Sequence, residues 1–303
     1  MSQQNLLVVI AGPTAVGKTS VSLSLAQYFH GEIISADSRQ FYREMEIGTA
    51  KPAQEELNSI AHHFVNSHSI QEDYDAGSFA RDAEPLLDSL FTKNKVQFMV
   101  GGSGLYIKAF CDGLDEMPEV PKEIRNELNE EFRTSGLEPM LAELKRSDPE
   151  YYEVVDKYNP QRVIRGVEVL RATGKPYSQF RKDNVKKSHD FRILKIGLSL
   201  DREVLYDRID QRMDVMIEEG LFEEAESLYP MRSQNALQTV GYKEIFDFIE
   251  GQYDKDEAVR LLKRNSRRYA KRQLTWFRKD PEFHWFQPNQ MEAIIARIEQ
   301  EID

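Results

Sequence analysis

Cysteine is almost absent from this 303-residue chain, with Cys111 standing alone. That excludes an intramolecular disulfide and a zinc site built on a cysteine set. A chain of this length buries roughly three quarters of the surface its unfolded form exposes, so it needs no covalent staple. A reducing, cytoplasmic setting is the expectation. Long apolar runs are missing as well. Leu6 to Ala11 is far too short to span a bilayer and lacks the flanks of a secretion signal, so no membrane role is expected. No internal repeat or low-complexity tract is present. Positive net charge is also lacking: 40 Lys and Arg against 51 Asp and Glu leave −11, which by itself speaks against a polyanionic partner.

The distribution of charge says something different. Residues 260–279 hold Arg260, Lys263, Arg264, Arg267, Arg268, Lys271, Arg272, Arg278 and Lys279 and no acid. Against a net −11, those nine cations leave −20 for the rest of the chain. Such a segment is either a solvated helix face or a surface for a polyanion.

Short buried strands are expected at Leu6–Ala11, Glu32–Ala36 and Val96–Val100, with a helix carrying Val21, Leu25 and Phe29 between the first two. Alternating strands and helices point to an α/β fold, a parallel sheet with helices on both faces. The pattern turns all-helical after Pro118 and Pro121. Ile124, Leu128 and Phe132 share one face, Leu137, Leu141 and Leu144 another, and Pro160 opens a helix bearing Val163, Val167 and Leu170. The lysine-rich stretch 175–190 reads as a return linker. Arg192–Leu200 is again strand, Asp201 is placed to cap the next helix, and the remainder reads as helix. The expected organisation is a discontinuous α/β core, 1–117 and 190–303, interrupted by a helical insertion at 118–189.

The strongest motif is Gly12-Pro13-Thr14-Ala15-Val16-Gly17-Lys18-Thr19. It fits G-x-x-x-x-G-K-[ST] between an expected strand and an expected helix. Its backbone N–H groups and the helix N-terminus suit phosphate oxygens, Lys18 adds a cation, and Thr19 offers a hydroxyl to Mg²⁺. The motif leaves open whether the anion is a nucleotide or a simple diphosphate. Asp37, after the second strand, suits three roles: Mg²⁺ ligand, proton acceptor, or cap of a following helix. Gly101-Gly102-Ser103-Gly104 follows the third strand and presents one hydroxyl. Arg208 and Arg212, four apart, form either a phosphate clamp or a salt-bridging face. Adjacent His62 and His63 point different ways and suit structural or lining roles better than shared metal ligation.

Taken together, GPTAVGKT at 12–19, DSRQFY at 37–42, IGTAKP at 47–52, GGSGLY at 101–106, NPQRVIRGVEV at 159–169, RIDQR at 208–212, VGYKE at 240–244 and KRQLTWFRK at 271–279 resemble the tRNA dimethylallyltransferases (tRNA isopentenyltransferases) of bacterial type. The resemblance spans about residues 6–278. It implies a P-loop NTPase-like core and transfer of a dimethylallyl group from dimethylallyl diphosphate to N6 of the adenosine 3′-adjacent to the anticodon. It further implies that the phosphate loop holds the diphosphate with Mg²⁺ on Thr19. Asp37 would be the general base, with Ser103 and Arg212 beside the leaving group. Asp37, Ser38, Arg39 and Gln40, and Gln161, Arg162, Val163, Ile164 and Arg165, would contact the tRNA anticodon stem-loop. In that light the basic segment gains weight as an RNA-facing element, with Trp276 expected to pack inward. No zinc is expected, and the enzyme is expected to act as a monomer. The rival readings are a P-loop small-molecule kinase, a prenyltransferase acting on free adenine nucleotides, and a non-enzymatic RNA-binding protein.

Overall fold

The computed structural model describes residues 5–181 and 187–302. The chain forms two compact units, Met1–Asp112 with Lys187–Asp303, and Gly113–Lys186. Part of the lysine-rich stretch expected as a linker, 182–186, lies outside the described residues.

The first unit opens with β1 (Leu6–Ala11), α1 (Lys18–Phe29), β2 (Ile33–Ser35), α2 (Gln54–Ser59), β3 (His62–His63), α3 (Ala76–Phe91), β4 (Val96–Gly101) and α4 (Gly104–Cys111). The second unit is α5 (Lys122–Ser135), α6 (Glu138–Ser147), α7 (Pro149–Val154) and α8 (Pro160–Thr173). The first unit then resumes with β5 (Arg192–Leu198), α9 (Arg202–Glu218), α10 (Leu221–Leu228), α11 (Lys243–Ile249), α12 (Lys255–Phe277), β6 (His284–Phe286) and α13 (Met291–Ile302).

The six strands form one sheet in the order β3-β2-β4-β1-β5-β6, and every pairing is parallel. β1 lies inside it and is buried along its whole length. A parallel strand covered on both faces must be apolar at every position, which is why LLVVIA carries no polar residue. Its alternation still sorts the two faces: Leu7, Val9 and Ala11 enter the core under α3 and α4, while Leu6, Val8 and Ile10 enter the core with α1, α9 and α13. A third core joins α9, α10, α11 and α12 to Tyr42 and Met45.

Two strands depart from the sequence reading. β3 and β6, of two and three residues, are both edge strands. Runs this short give no readable period, and the segment holding β6 read as helix. Asp201 stands at the start of α9 without making a side-chain cap. Among the described residues no helix is long and apolar enough to cross a membrane.

The helical unit has its own core of Leu128, Met140, Leu144, Tyr151, Val155, Val163, Ile164 and Val167. α8 is capped by Asn159, whose side chain accepts from the Arg162 N–H, and Pro160 occupies its first turn.

The sheet positions the site by register. Ala11 pairs with Gly101, and Ser35 with Val100, so β1, β2 and β4 end side by side. Ligands of open parallel sheets gather at this carboxyl edge.

Candidate active site

Four segments meet at that edge. β1 feeds the loop 12–17 into α1. Gly17 caps α1 with a left-handed φ of 108°, no side chain caps the helix, and no acid occupies its first turn. The first-turn N–H groups are therefore left for an external anion. β2 delivers Asp37, β4 delivers Gly102 and Ser103, and α9 projects Arg208 and Arg212 one turn apart.

These segments enclose a cavity of about 310 Å³. Its polar wall includes Thr14, Lys18, Thr19, Asp37, Arg39 and Arg212. Its apolar wall is Ile209, Met213 and Met216 of α9 with Leu221 and Val240. Two short loops complete it, Gly48-Thr49-Ala50 and Thr239-Val240-Gly241. A smaller annex of about 40 Å³ reaches behind Lys18, Thr19 and Asp37 to His62.

The electrostatics are those of an anion site. Lys18 donates to the carbonyls of Gly12 and Pro13 at 3.0 and 2.9 Å. Burial pushes its ammonium down to about 8, with Asp37 opposing and Arg212 adding to the fall. Burial also lowers the Arg212 guanidinium, again with Asp37 opposing and Arg208 assisting. Two cations, Lys18 and Arg212, thus share one carboxylate, with Arg208 beside Arg212, an arrangement that a polyanionic ligand relieves.

Asp37 Oδ1 accepts from the Arg39 N–H at 3.0 Å, closing a local turn. No helix begins after it, so the capping role open at the sequence level is not taken up. Oδ2 has no hydrogen-bond partner among the described residues. Thr19 Oγ1 likewise has none.

Ser103 stands behind the wall. It is buried, its Oγ accepts from the Ser38 N–H at 2.9 Å and donates to Ser38 Oγ at 3.0 Å, and it lies beside Tyr269. Burial and Asp37 push the Tyr269 phenol up to about 12. Gln40 lines the cavity, yet its amide is engaged within the protein: Oε1 accepts from Ser35 Oγ at 3.0 Å, and Nε2 donates to Ala50 O at 3.1 Å. Gly12, Pro13 and Val16 are buried, leaving the half-buried Thr14, Ala15, Gly17, Lys18 and Thr19 as the part of the loop that lines the cavity.

In α8 the expected RNA contacts divide. Val163 and Ile164 are fully buried in the helical unit's own core, so their side chains pack there. Gln161 is exposed and its Oε1 accepts from Arg125 at 2.6 Å, while Arg165 lies 3.5 Å from Glu168. Trp276 is a correction: 37% of it is exposed, its indole resting against Gly104.

Gln273 escaped the sequence reading. It is buried on the inner face of α12, accepts from the Thr14 N–H at 2.9 Å, and donates to Gly102 O at 2.9 Å. A Cβ on Gly102 would sit 2.3 Å from Gln273 Nε2, so glycine is what admits the bridge. Its signal was present: Ala258, Leu262, Ser266, Ala270, Gln273 and Phe277 mark the buried stripe, and a polar residue in such a stripe has a partner to meet.

Comparison with known proteins agrees with this geometry. The family model described as IPP transferase matches residues 40–280. A tRNA dimethylallyltransferase of Cytophaga hutchinsonii is 52% identical over 97% of this chain and 96% of its own. One from Parabacteroides distasonis, a "tRNA dimethylallyltransferase 2", is 50% identical over 98% of this chain and 99% of its own. Among solved structures, the full-length tRNA isopentenylpyrophosphate transferase of Bacillus halodurans superposes with a TM-score of 0.72 at 37% identity, covering 99% of this chain and 97% of that one. A eukaryotic dimethylallyltransferase acting on tRNA superposes with a TM-score of 0.73 at 28% identity, covering 90% and 69% of the two chains. With a phosphate loop, a carboxylate and an arginine gathered at one edge of a parallel sheet, and with kinship running through nearly the whole length, the chain belongs to the IPP transferase family.

Proposed function

We propose that this protein is a tRNA-modifying prenyltransferase that moves a dimethylallyl group from dimethylallyl diphosphate to N6 of the adenosine 3′-adjacent to the anticodon. The observation that carries the reading is the two-sided cavity. Lys18, Arg212 and the uncapped N-terminus of α1 suit the diphosphate, and the wall of Ile209, Met213, Met216, Leu221 and Val240 suits a five-carbon tail. A phosphate loop serving a nucleotide alone has no need of such a wall.

The step balances simply. The C1–O bond of the donor breaks and the N6–C1 bond forms. The electron pair of the broken bond leaves with diphosphate, and the N6 proton passes to Asp37 Oδ2. An exocyclic amine is a poor nucleophile because its lone pair is delocalised into the ring. A carboxylate accepting its proton as the bond forms raises its reactivity. Lys18 and Arg212 stabilise charge growing on the departing oxygen. The cavity walls and the incoming base exclude water, which would otherwise capture the allylic cation. The adenine must leave its stack to enter, so the acceptor is a splayed, single-stranded loop.

Mg²⁺ fits this site as a substrate-held ion. Among the described residues no three His, Cys, Asp or Glu side chains cluster for a dedicated protein cage. Mg²⁺ commonly uses one or two protein oxygens and completes its shell with phosphate and water. Thr19 would supply one such oxygen, and the ion would neutralise diphosphate charge. For the RNA, we assign Ser38, Arg39, Gln161, Arg162, Arg165 and the exposed cations of α12. We read the enzyme as a cytoplasmic monomer.

The test is transfer of labelled dimethylallyl from its diphosphate, with Mg²⁺, to unmodified tRNA, with AMP and ATP as parallel acceptors. Label in tRNA alone is expected. Label in AMP or ATP would make it a nucleotide prenyltransferase. ATP turnover without any prenyl transfer would make it a kinase.

A further inference from the structure

Two short loops, 48–50 and 239–241, line the cavity beside α9 and Leu221. Residues 47–49 form a single 3₁₀ turn, and Gly48, Thr49 and Ala50 follow one another along the wall. Residues 239–241 reach the wall just before α11 begins. One side chain holds both. Glu224 of α10 accepts from the N–H groups of Glu46 and Ile47 on Oε2, at 2.9 and 2.7 Å. On Oε1 it accepts from the Gly48 N–H at 3.0 Å and from the Tyr242 hydroxyl at 2.6 Å.

The packing agrees with the hydrogen bonds. Tyr242 is fully buried, and a Cβ on Gly48 would sit 2.6 Å from its ring. The bare backbone of Gly48 is thus what lets the tyrosine reach Glu224. On its far side the first loop is gripped by Gln40, through Ala50 O. Leu221, one turn before Glu224, is itself part of the apolar wall.

We propose that Glu224 is a positioning residue for prenyl transfer, a four-donor carboxylate clamp that sets loops 46–50 and 239–242 at the distance the tail and the incoming adenine require. This rests on the prenyltransferase reading above. Only a carboxylate fits the role. It presents two acceptor oxygens, whereas a glutamine presents one and turns an NH₂ toward the remaining donors. The diphosphate groups, carried by α1 and α9, are outside the clamp, so head-group binding and transfer should separate.

The experiment compares Glu224→Gln with the wild type and with Glu226→Gln, an exposed neighbour on the same helix. For Glu224→Gln we expect transfer to tRNA at saturating substrates to fall by about tenfold or more. Affinity for inorganic diphosphate should stay within about twofold, and amide exchange at residues 46–48 should accelerate, because the single oxygen of a glutamine cannot accept from all three N–H groups. Glu226→Gln should match the wild type in all three. Tyr242→Phe removes one donor and keeps the ring. We expect a loss of about threefold, with no further loss when it is added to Glu224→Gln, since both act through one carboxylate. If Glu224→Gln fails to fold, Tyr242→Phe decides by itself.

A folded Glu224→Gln with wild-type transfer would overturn the proposal. So would diphosphate affinity and transfer falling in equal measure, which marks general destabilisation. If the wild type transfers no prenyl group, the functional reading fails instead. Exchange at 46–48 measured beside diphosphate affinity then still decides the clamp: loosening without loss of affinity upholds it, and unchanged exchange removes it.

Discussion

Ser103 and Ser38 hold the ends of β4 and β2 together, the Ser103 hydroxyl accepting from the Ser38 N–H at 2.9 Å and donating to Ser38 Oγ at 3.0 Å. Asp37 precedes Ser38, so this pair fixes the backbone from which the carboxylate reaches the cavity. Any effect of Ser103 on the proposed reaction is expected to pass through the backbone of Ser38 and through Tyr269. Ser103→Ala leaves a part-buried N–H without its acceptor, at a cost of about 1 kcal/mol. Ser103→Thr keeps the hydroxyl. We expect the alanine variant to lower kcat while the KM for dimethylallyl diphosphate holds, and the threonine variant to restore kcat. A rise in that KM alone would place the hydroxyl on the diphosphate.

The contrast between Lys18 and Glu224 shows what was legible in the sequence. The phosphate loop lies within eight consecutive residues, between a wholly apolar strand and a periodic helix, so its chemistry and its place could be read together. Asp37 was legible as an acid at a strand end, and the apolar stripe of the helical unit was legible down to the burial of Val163 and Val167. Glu224, Tyr242 and Gly48 lie on three separate segments. Nothing in a one-dimensional pattern brings a carboxylate to backbone donors some 177 residues away. The pairing of the basic run was hidden in a related way. Its own twenty residues hold no acid, but Asp210 and Asp214 on α9 pair with Arg267 and Lys263 at 2.5 and 2.6 Å. The edge strands β3 and β6 were lost to length alone.

Asp37 and Arg212 should separate proton transfer from leaving-group stabilisation. Asp37→Asn keeps a side chain of the same size without a basic oxygen. Its kcat should fall by about 10²–10⁴ while donor binding persists. Arg212→Gln should lower both kcat and diphosphate affinity, since the guanidinium faces the anion before and during the reaction. Single-turnover transfer and inorganic diphosphate inhibition, measured on both variants, check this. Near-normal chemistry in Asp37→Asn would remove the general-base role.

Lys18 gives the site a pH signature. Burial lowers its pKa to about 8 in the free protein. A bound diphosphate adds negative charge beside it and raises the value again. Above pH 8 the free protein has therefore lost a proton that the complex retains. Binding in that window takes up as much as one proton, and affinity weakens by up to about tenfold per pH unit. Below pH 8 Lys18 contributes no slope. Calorimetry of dimethylallyl diphosphate binding in buffers of different ionisation heat measures the uptake. Lys18→Arg, charged throughout, should abolish this component. An unchanged slope in that variant would assign the proton elsewhere.

The apolar wall can be tested apart from the anion site. Val240 is half-buried and lines the cavity. Val240→Phe adds volume where the tail is expected to lie. The KM for dimethylallyl diphosphate should rise by about tenfold, while inhibition by inorganic diphosphate, which has no tail, stays unchanged. The loss corresponds to about 1.4 kcal/mol, within the usual cost of overfilling a packed site. A parallel loss of inorganic diphosphate inhibition would mean that the loop itself had moved.

The outer face of α12 carries a prediction about salt. Arg260, Lys263 and Arg267 are already paired with Glu257, Asp214 and Asp210, so they bring little free charge to a polyanion. Arg268, Lys271, Arg272, Arg278 and Lys279 are exposed. Of these, Arg272 lies over Tyr269 and Arg278 over Trp285. The exposed cations thus lie in the second half of α12 and just beyond its end, the part that also carries Trp276. Replacing Arg268 and Lys271 with alanine should weaken tRNA binding and reduce the slope of log K against log salt by about 1.4, the counterion release of two single-strand phosphate contacts. Replacing Lys263 and Arg267 should leave that slope nearly unchanged, because their charge is spent on the two aspartates. Filter binding across a salt series distinguishes the pairs. Equal slopes for both double variants would show that the helix meets RNA along its full length and that the aspartate pairs open on contact.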